Sequence, residues 1–82
     1  MTIAEIFDEV TSAILNYESY HVYYTYGDEC WNGNNRVEFE VHGHSDQGEG
    51  ADWSEYWAID ENGIHTEDET YKTLEDFKSR WN

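Results

Sequence analysis

The chain contains no proline, one cysteine and only four lysine or arginine residues among 82. Each shortage excludes something. With Cys30 alone, no internal disulfide can form, so this small domain is not stapled covalently, and a reducing, cytosolic compartment is expected, as in a bacterial host. With so few bases there is no cationic patch to bind a nucleic acid directly. No apolar run approaches the roughly 18 residues that span a bilayer, and Met1-Thr2-Ile3-Ala4-Glu5 lacks the basic start of a signal peptide. A membrane partner is therefore not expected.

What the chain has instead is acid and aromatic rings. Nineteen Asp and Glu give a net charge of −15, and 17% of residues are aromatic. A chain of 82 residues forms one domain, spanning 1–82, and buries only about 60–65% of its unfolded surface, so the rings must build much of the core. Such a globule is expected to be about 30 Å across, a length over which duplex DNA carries about 18 charges. The charge per unit length is close to that of DNA. Self-repulsion of this size destabilises a compact state. It points to a basic partner and to a monomer kept apart by charge.

Residues 2–17 read as a helix. Thr2 and Glu5 have capping-box spacing, and Ile3, Ile6, Phe7, Val10, Ala13, Ile14 and Tyr17 share one face. Tyr20 to Tyr26 is almost wholly β-forming, with Tyr23 on the face opposite Tyr24 and Tyr26. Gly27 to Asn35 reads as a loop carrying Trp31, which either folds back over the core or is presented to a partner. Arg36 to His42 alternates strictly: Val37, Phe39 and Val41 inward, Arg36, Glu38, Glu40 and His42 outward. Gly43 to Gly50 reads as a polar loop. Ala51 to Ile59 is a further strand whose imperfect alternation suggests either a bulge or a strand with aromatic rings on both faces, and Asp60-Glu61-Asn62-Gly63 is a turn leading to a short fourth strand at Ile64 to Thr66. Thr73 and Asp76 begin a last helix bearing Leu74, Phe77 and Trp81. Three of the four bases, Lys72, Lys78 and Arg80, lie in this final segment and are expected to tie the helix to the acidic body. The expected fold is α+β: an antiparallel sheet of three strands, extended by the short fourth, with the N-terminal and C-terminal helices on one face. Expected core positions are Ile6, Phe7, Val10, Ile14, Val37, Phe39, Val41, Leu74 and Phe77.

Chemistry-bearing constellations are weak. His42-Gly43-His44 with Cys30, His21 or Asp46 lacks the paired spacing of a zinc site, and Asp46, Glu49 and Asp52 lack the order of a calcium loop. Glu38 and Glu40 stand ~7 Å apart on a strand, near the separation of glycosidase carboxylates, but so short a chain leaves little room for a substrate cleft. No metal, cofactor or catalytic activity is expected. What remains is surface. Eleven of the nineteen acids fall between Arg36 and Tyr71, against one base. Carboxylates ~7 Å apart along a strand and about 4.8 Å across to the next would present rows of charge spaced like phosphates. Expected partner contacts are Glu38, Glu40, Asp46, Glu49, Asp52, Asp60 and Glu61, with Tyr23 and Trp31 as aromatic anchors.

In its length, its acidic segment Glu38 to Glu69 and its order of helix, three-stranded meander and helix, the chain resembles the small acidic DNA mimics of phages and mobile elements, among them anti-restriction and anti-CRISPR proteins. The resemblance implies an inhibitor that occupies the target-DNA site, often the PAM-reading region, of a CRISPR–Cas effector. A different class also fits: an immunity protein that neutralises a basic nuclease toxin by steered association.

Overall fold

The computed structural model describes residues 1–19, 22–45 and 52–81, and shows an α+β fold. Helix α1 (Ile3–Asn16) opens the chain and α2 (Leu74–Trp81) closes it. Between them run β1 (Glu18–Ser19), β2 (Val22–Asn32), β3 (Arg36–Ser45), β4 (Trp53–Asp60), β5 (Gly63–His65) and β6 (Thr70–Tyr71). They form a single antiparallel sheet in sequential order, β1 to β6, with the three long strands at its centre. Among the described residues, no helix is long and apolar enough to cross a membrane.

The capping box of α1 is complete. Thr2 Oγ1 accepts from the Glu5 amide at 3.1 Å, and a Glu5 carboxylate oxygen accepts from the Thr2 amide at 2.9 Å. At α2, Thr73 Oγ1 accepts from the Asp76 amide at 3.1 Å. Both helices lie on one face of the sheet. Phe7, Val10 and Ile14 of α1 and Phe77 of α2 close over Val37, Phe39, Val41, Trp57, Ile59 and Ile64. Rings meet edge to face throughout: Phe7 on Phe39 at 5.0 Å, Phe39 on Trp57 at 6.1 Å, Trp57 on Phe77 at 5.9 Å. Ile6 and Leu74, expected in the core, are only partly buried at its margin, while Trp57, Ile59 and Ile64 take central places. Lys78 Nζ reaches Glu9 Oε2 on α1 at 2.6 Å and so links the two helices.

The strand boundaries correct the sequence reading in three places. The loop expected from Gly27 to Asn35 is mostly strand: β2 runs on to Asn32, and only 33–35 turn. Gly43 to Ser45, expected in a loop, belong to β3, which pairs His44 with Tyr23; the rest of that expected loop, 46–50, lies outside the described residues. The bulge offered as one reading of β4 lies in β2 instead, and the other reading holds for β4, with Trp53 and Trp57 on the helix side and Tyr56 on the outer face. The register of β4 against β3 is unbroken from Asp60 to Trp53, whereas β2 slips by one residue between Gly27 and Cys30. Asp28 absorbs the slip at φ 41°, a left-handed conformation that Asp tolerates better than most side chains.

That one extra residue has a large effect. Side chains alternate along a strand, so an insertion of one exchanges faces beyond it. Tyr24 and Tyr26 point to the helix side before the bulge. After it Trp31, of opposite parity, also points there, paired with Val37.

Candidate functional site: the outer sheet face

The face of the sheet away from the helices is built around the outward residues of β3. Arg36, Glu38, Glu40, His42 and His44 follow one another at every second position, because Val37, Phe39 and Val41 are fully buried on the other side. The register sets their neighbours. Glu38 lies between Cys30 and Ala58, Glu40 between Gly27 and Tyr56, His42 between Thr25 and Ser54, and Arg36 opposite Asp60.

The carboxylates on this face are not a bare row. Asp60 Oδ2 accepts from Arg36 Nη1 at 2.6 Å, while Asp60 Oδ1 meets His65 Nε2 and accepts from the Asn62 amide, each at 2.8 Å. Partial burial is the largest single influence on this carboxyl and opposes its ionisation. The His65 hydrogen bond, the Asn62 amide and the charges of His65 and Arg36 together outweigh it and hold the pKa below the ordinary aspartate value. Glu40, with a side chain only 18% exposed, lies 3.0 Å from His42 Nε2. The His42 ring lies over the Gly27 position across the strand pair, where an added β-carbon would meet it at an ordinary 3.7 Å. Glu38 is 3.5 Å from Arg36 Nε and its side chain is 58% exposed, so that contact is weak. His44 stacks on His42 with ring centroids 6.2 Å apart, and its Nε2 lies 3.2 Å from Thr25 Oγ1.

The expected contact residues therefore fall into groups. Glu38, Glu40 and Asp60 share the outer face, with Tyr23 beside His44 at its far end and 42% exposed. Glu61 is exposed at the β4–β5 turn and Asp52 is exposed just before β4, close to His42 and His44. Asp46 and Glu49 lie outside the described residues. Trp31 stands apart. It packs edge to face on Phe7 at 5.6 Å and donates its indole N–H to Glu29 Oε2 at 2.7 Å, forming a half-exposed margin of the core on the helix side.

Two features of the face were not among the expected contacts. Tyr56, at 69%, is the most exposed tyrosine among the described residues and stands directly opposite Glu40. Its parity, opposite to Trp53, Trp57 and Ile59, was the available signal. The second is the set of cationic or titratable groups Arg36, His42 and His65, which engage Glu38, Glu40 and Asp60. The alternation of β3 already put Arg36 and His42 on the acidic side. Exposed acids without such partners lie at the margins: Asp28 at the bulge, Glu61 at the turn, Asp68 in the β5–β6 loop. Among the described residues no group of three or more His, Cys, Asp or Glu is arranged to hold a metal ion.

No protein-family model, no curated protein and no solved structure matches the chain.

Proposed function

We propose that the protein is a DNA-mimicking inhibitor that occupies the basic DNA-binding groove of a nucleic-acid enzyme, a CRISPR–Cas effector in the first place, and thereby keeps target DNA out. It acts by occupancy, without catalysis. The observation that carries this reading is the net charge of −15 on a body of 38 × 25 × 20 Å. A duplex 38 Å long carries about 22 phosphate charges. A groove lined with Lys and Arg for DNA would meet a comparable charge density here, and long-range attraction would speed the encounter. The outer face supplies Glu38 and the exposed Tyr56, and the turn supplies Glu61, as groups able to meet a guanidinium directly.

The test is order of addition. An effector with an empty groove should bind the protein, and the same effector pre-loaded with target DNA should not. Binding should also weaken steeply with salt. Equal affinity for the free and the DNA-loaded effector would overturn the proposal.

One observation favours a second reading, an immunity protein against a basic nuclease. Tyr23 and Tyr56 are exposed on the same face as Glu38 and Glu40. Tyrosine among carboxylates is the anchor pattern of a protein interface, and a phosphate mimic does not need it. Tight binding to a catalytically inactive nuclease toxin, with none to a CRISPR effector, would select this reading.

A further inference from the structure

Away from the outer face, the sheet has an unusual end. Strand β4 is eight residues long, but β5 pairs only with its last three, Ala58 to Asp60. The edge of the first five is flanked instead by the 66–69 loop. Thr66 shapes that loop: its amide donates to the Glu69 carbonyl at 2.8 Å and its Oγ1 accepts from the Glu69 amide at 3.0 Å. Glu67 then reaches across, and its Oε2 accepts from the Tyr56 amide at 3.0 Å.

Between this loop, β4 and the last turn of α2 lies a cavity of about 200 Å³. Three aromatic residues line it: Trp53, Tyr71 and Trp81. They are held from behind. Tyr24 packs on Trp53 at 5.6 Å and on Trp81 at 5.2 Å, Trp57 packs on Trp81 at 5.2 Å, and Phe77 packs on Tyr71 at 5.4 Å. Three carboxylates, Glu55, Asp68 and Glu69, share the lining. Glu55 is fixed by accepting the Trp57 indole N–H. Among the described residues the only base there is Arg80, whose guanidinium carbon stands 5.8 Å from the centre of the Trp81 ring. Trp81 Nε1 is buried and lacks a hydrogen-bond partner of good geometry.

Aromatic faces and carboxylates around a space the size of one long side chain select a cation. The chain's own Arg80 shows that a guanidinium can stack on this wall, and three acids against one base leave charge for a second cation. We infer that this pocket receives the guanidinium of an arginine from a partner protein, stacked on the indoles and bonded to Asp68 and Glu69. Arginine fits better than lysine because its planar, weakly hydrated head stacks on rings and bonds two carboxylates at once. The identity of the partner rests on the function proposed above; the chemistry of the pocket does not.

The experiment titrates Nα-acetyl-arginine methylamide into the ¹⁵N-labelled full chain at constant ionic strength and follows the indole and backbone N–H resonances. Saturable shifts at the Trp53 and Trp81 indoles are expected, with binding at least fivefold tighter than that of the lysine analogue. The double variant Asp68→Asn, Glu69→Gln should weaken binding threefold or more. Arg80→Ala should tighten it roughly two- to fivefold by removing an internal competitor. Asp8→Asn, on the exposed side of α1, should leave it unchanged. All variants alter exposed side chains, and dispersion of the amide spectrum verifies folding. Shifts that do not saturate, that match those caused by added NaCl, or that are equal for the lysine analogue would overturn the inference. If the arginine analogue binds but DNA-loaded effector still takes up the protein, the pocket stands and the DNA-mimic reading falls.

Discussion

Arg36 and Asp60 face each other across β3 and β4, with Nη1 and Oδ2 2.6 Å apart. The same carboxylate is shared with His65 and the Asn62 amide, so one side chain ties β3, β4, the β4–β5 turn and β5 together. Sequence places Asp60 among the acids offered to a partner. Structure makes it the best-satisfied carboxylate on the face.

Asp60→Asn is therefore expected to destabilise the fold by about 1–3 kcal/mol at neutral pH, the range for a hydrogen-bonded charge. The direction with pH follows from the lowered pKa. A carboxyl depressed in the folded state contributes stability above its unfolded pKa and loses it as pH falls through the folded one. The difference between wild type and variant in urea melts should thus be full at pH 7 and shrink progressively below about pH 4. A gap independent of pH would refute the assignment.

Gly43 is buried opposite Trp53, and a β-carbon there would fall inside the Trp53 indole. Gly43→Ala must displace that ring from Tyr24 as well. A loss of about 1–3 kcal/mol is expected, as for overpacking elsewhere, with a changed near-ultraviolet circular dichroism spectrum. A variant of wild-type stability and spectrum would show that the ring is not held as described.

Trp31→Ala separates two roles of one side chain. As a margin of the core on Phe7, it should cost about 2 kcal/mol of stability, less than a fully buried ring, and leave partner affinity nearly unchanged once the variant is folded. An anchor would show the reverse: affinity lost, melting temperature kept.

Outside the aromatic pocket, affinity for the partner should map to the sheet face and its turn. Glu38→Gln, Tyr56→Ala and Glu61→Gln are expected to give the large losses, about 2–5 kcal/mol where an acid is desolvated against an arginine. Glu5→Gln and Asp8→Asn, on the exposed side of α1, should leave affinity almost unchanged. Calorimetry on folded variants decides it, and helix-side losses equal to those at Glu38 would remove the face from the proposal.

Local physics made much of this fold legible in the sequence. The T-x-x-E box started α1, the 3-and-4 spacing placed Phe7, Val10 and Ile14 inside, and strict alternation put Val37, Phe39 and Val41 in the core. Each of these depends on residues within one or two turns or along one strand, so a linear reading captures them. The short pairing of β6 with β5 was not legible, because two residues carry no periodic signal.

Composition alone set the charge of the chain and, with it, the kind of partner worth considering. Tertiary structure decided where that charge is usable. A single extra residue in β2 turned Trp31 from the outer face to the core side, a consequence of register that no local pattern announced. Arg36 and Asp60 are 24 residues apart, yet strand pairing brings them into contact and removes an acid from the exposed set. The same folding brought Trp53 of β4, Tyr71 of β6 and Trp81 of α2 to one pocket. Side-chain type and spacing are properties of the chain, but which charges neutralise one another depends on distances across strands, and only the folded sheet sets those.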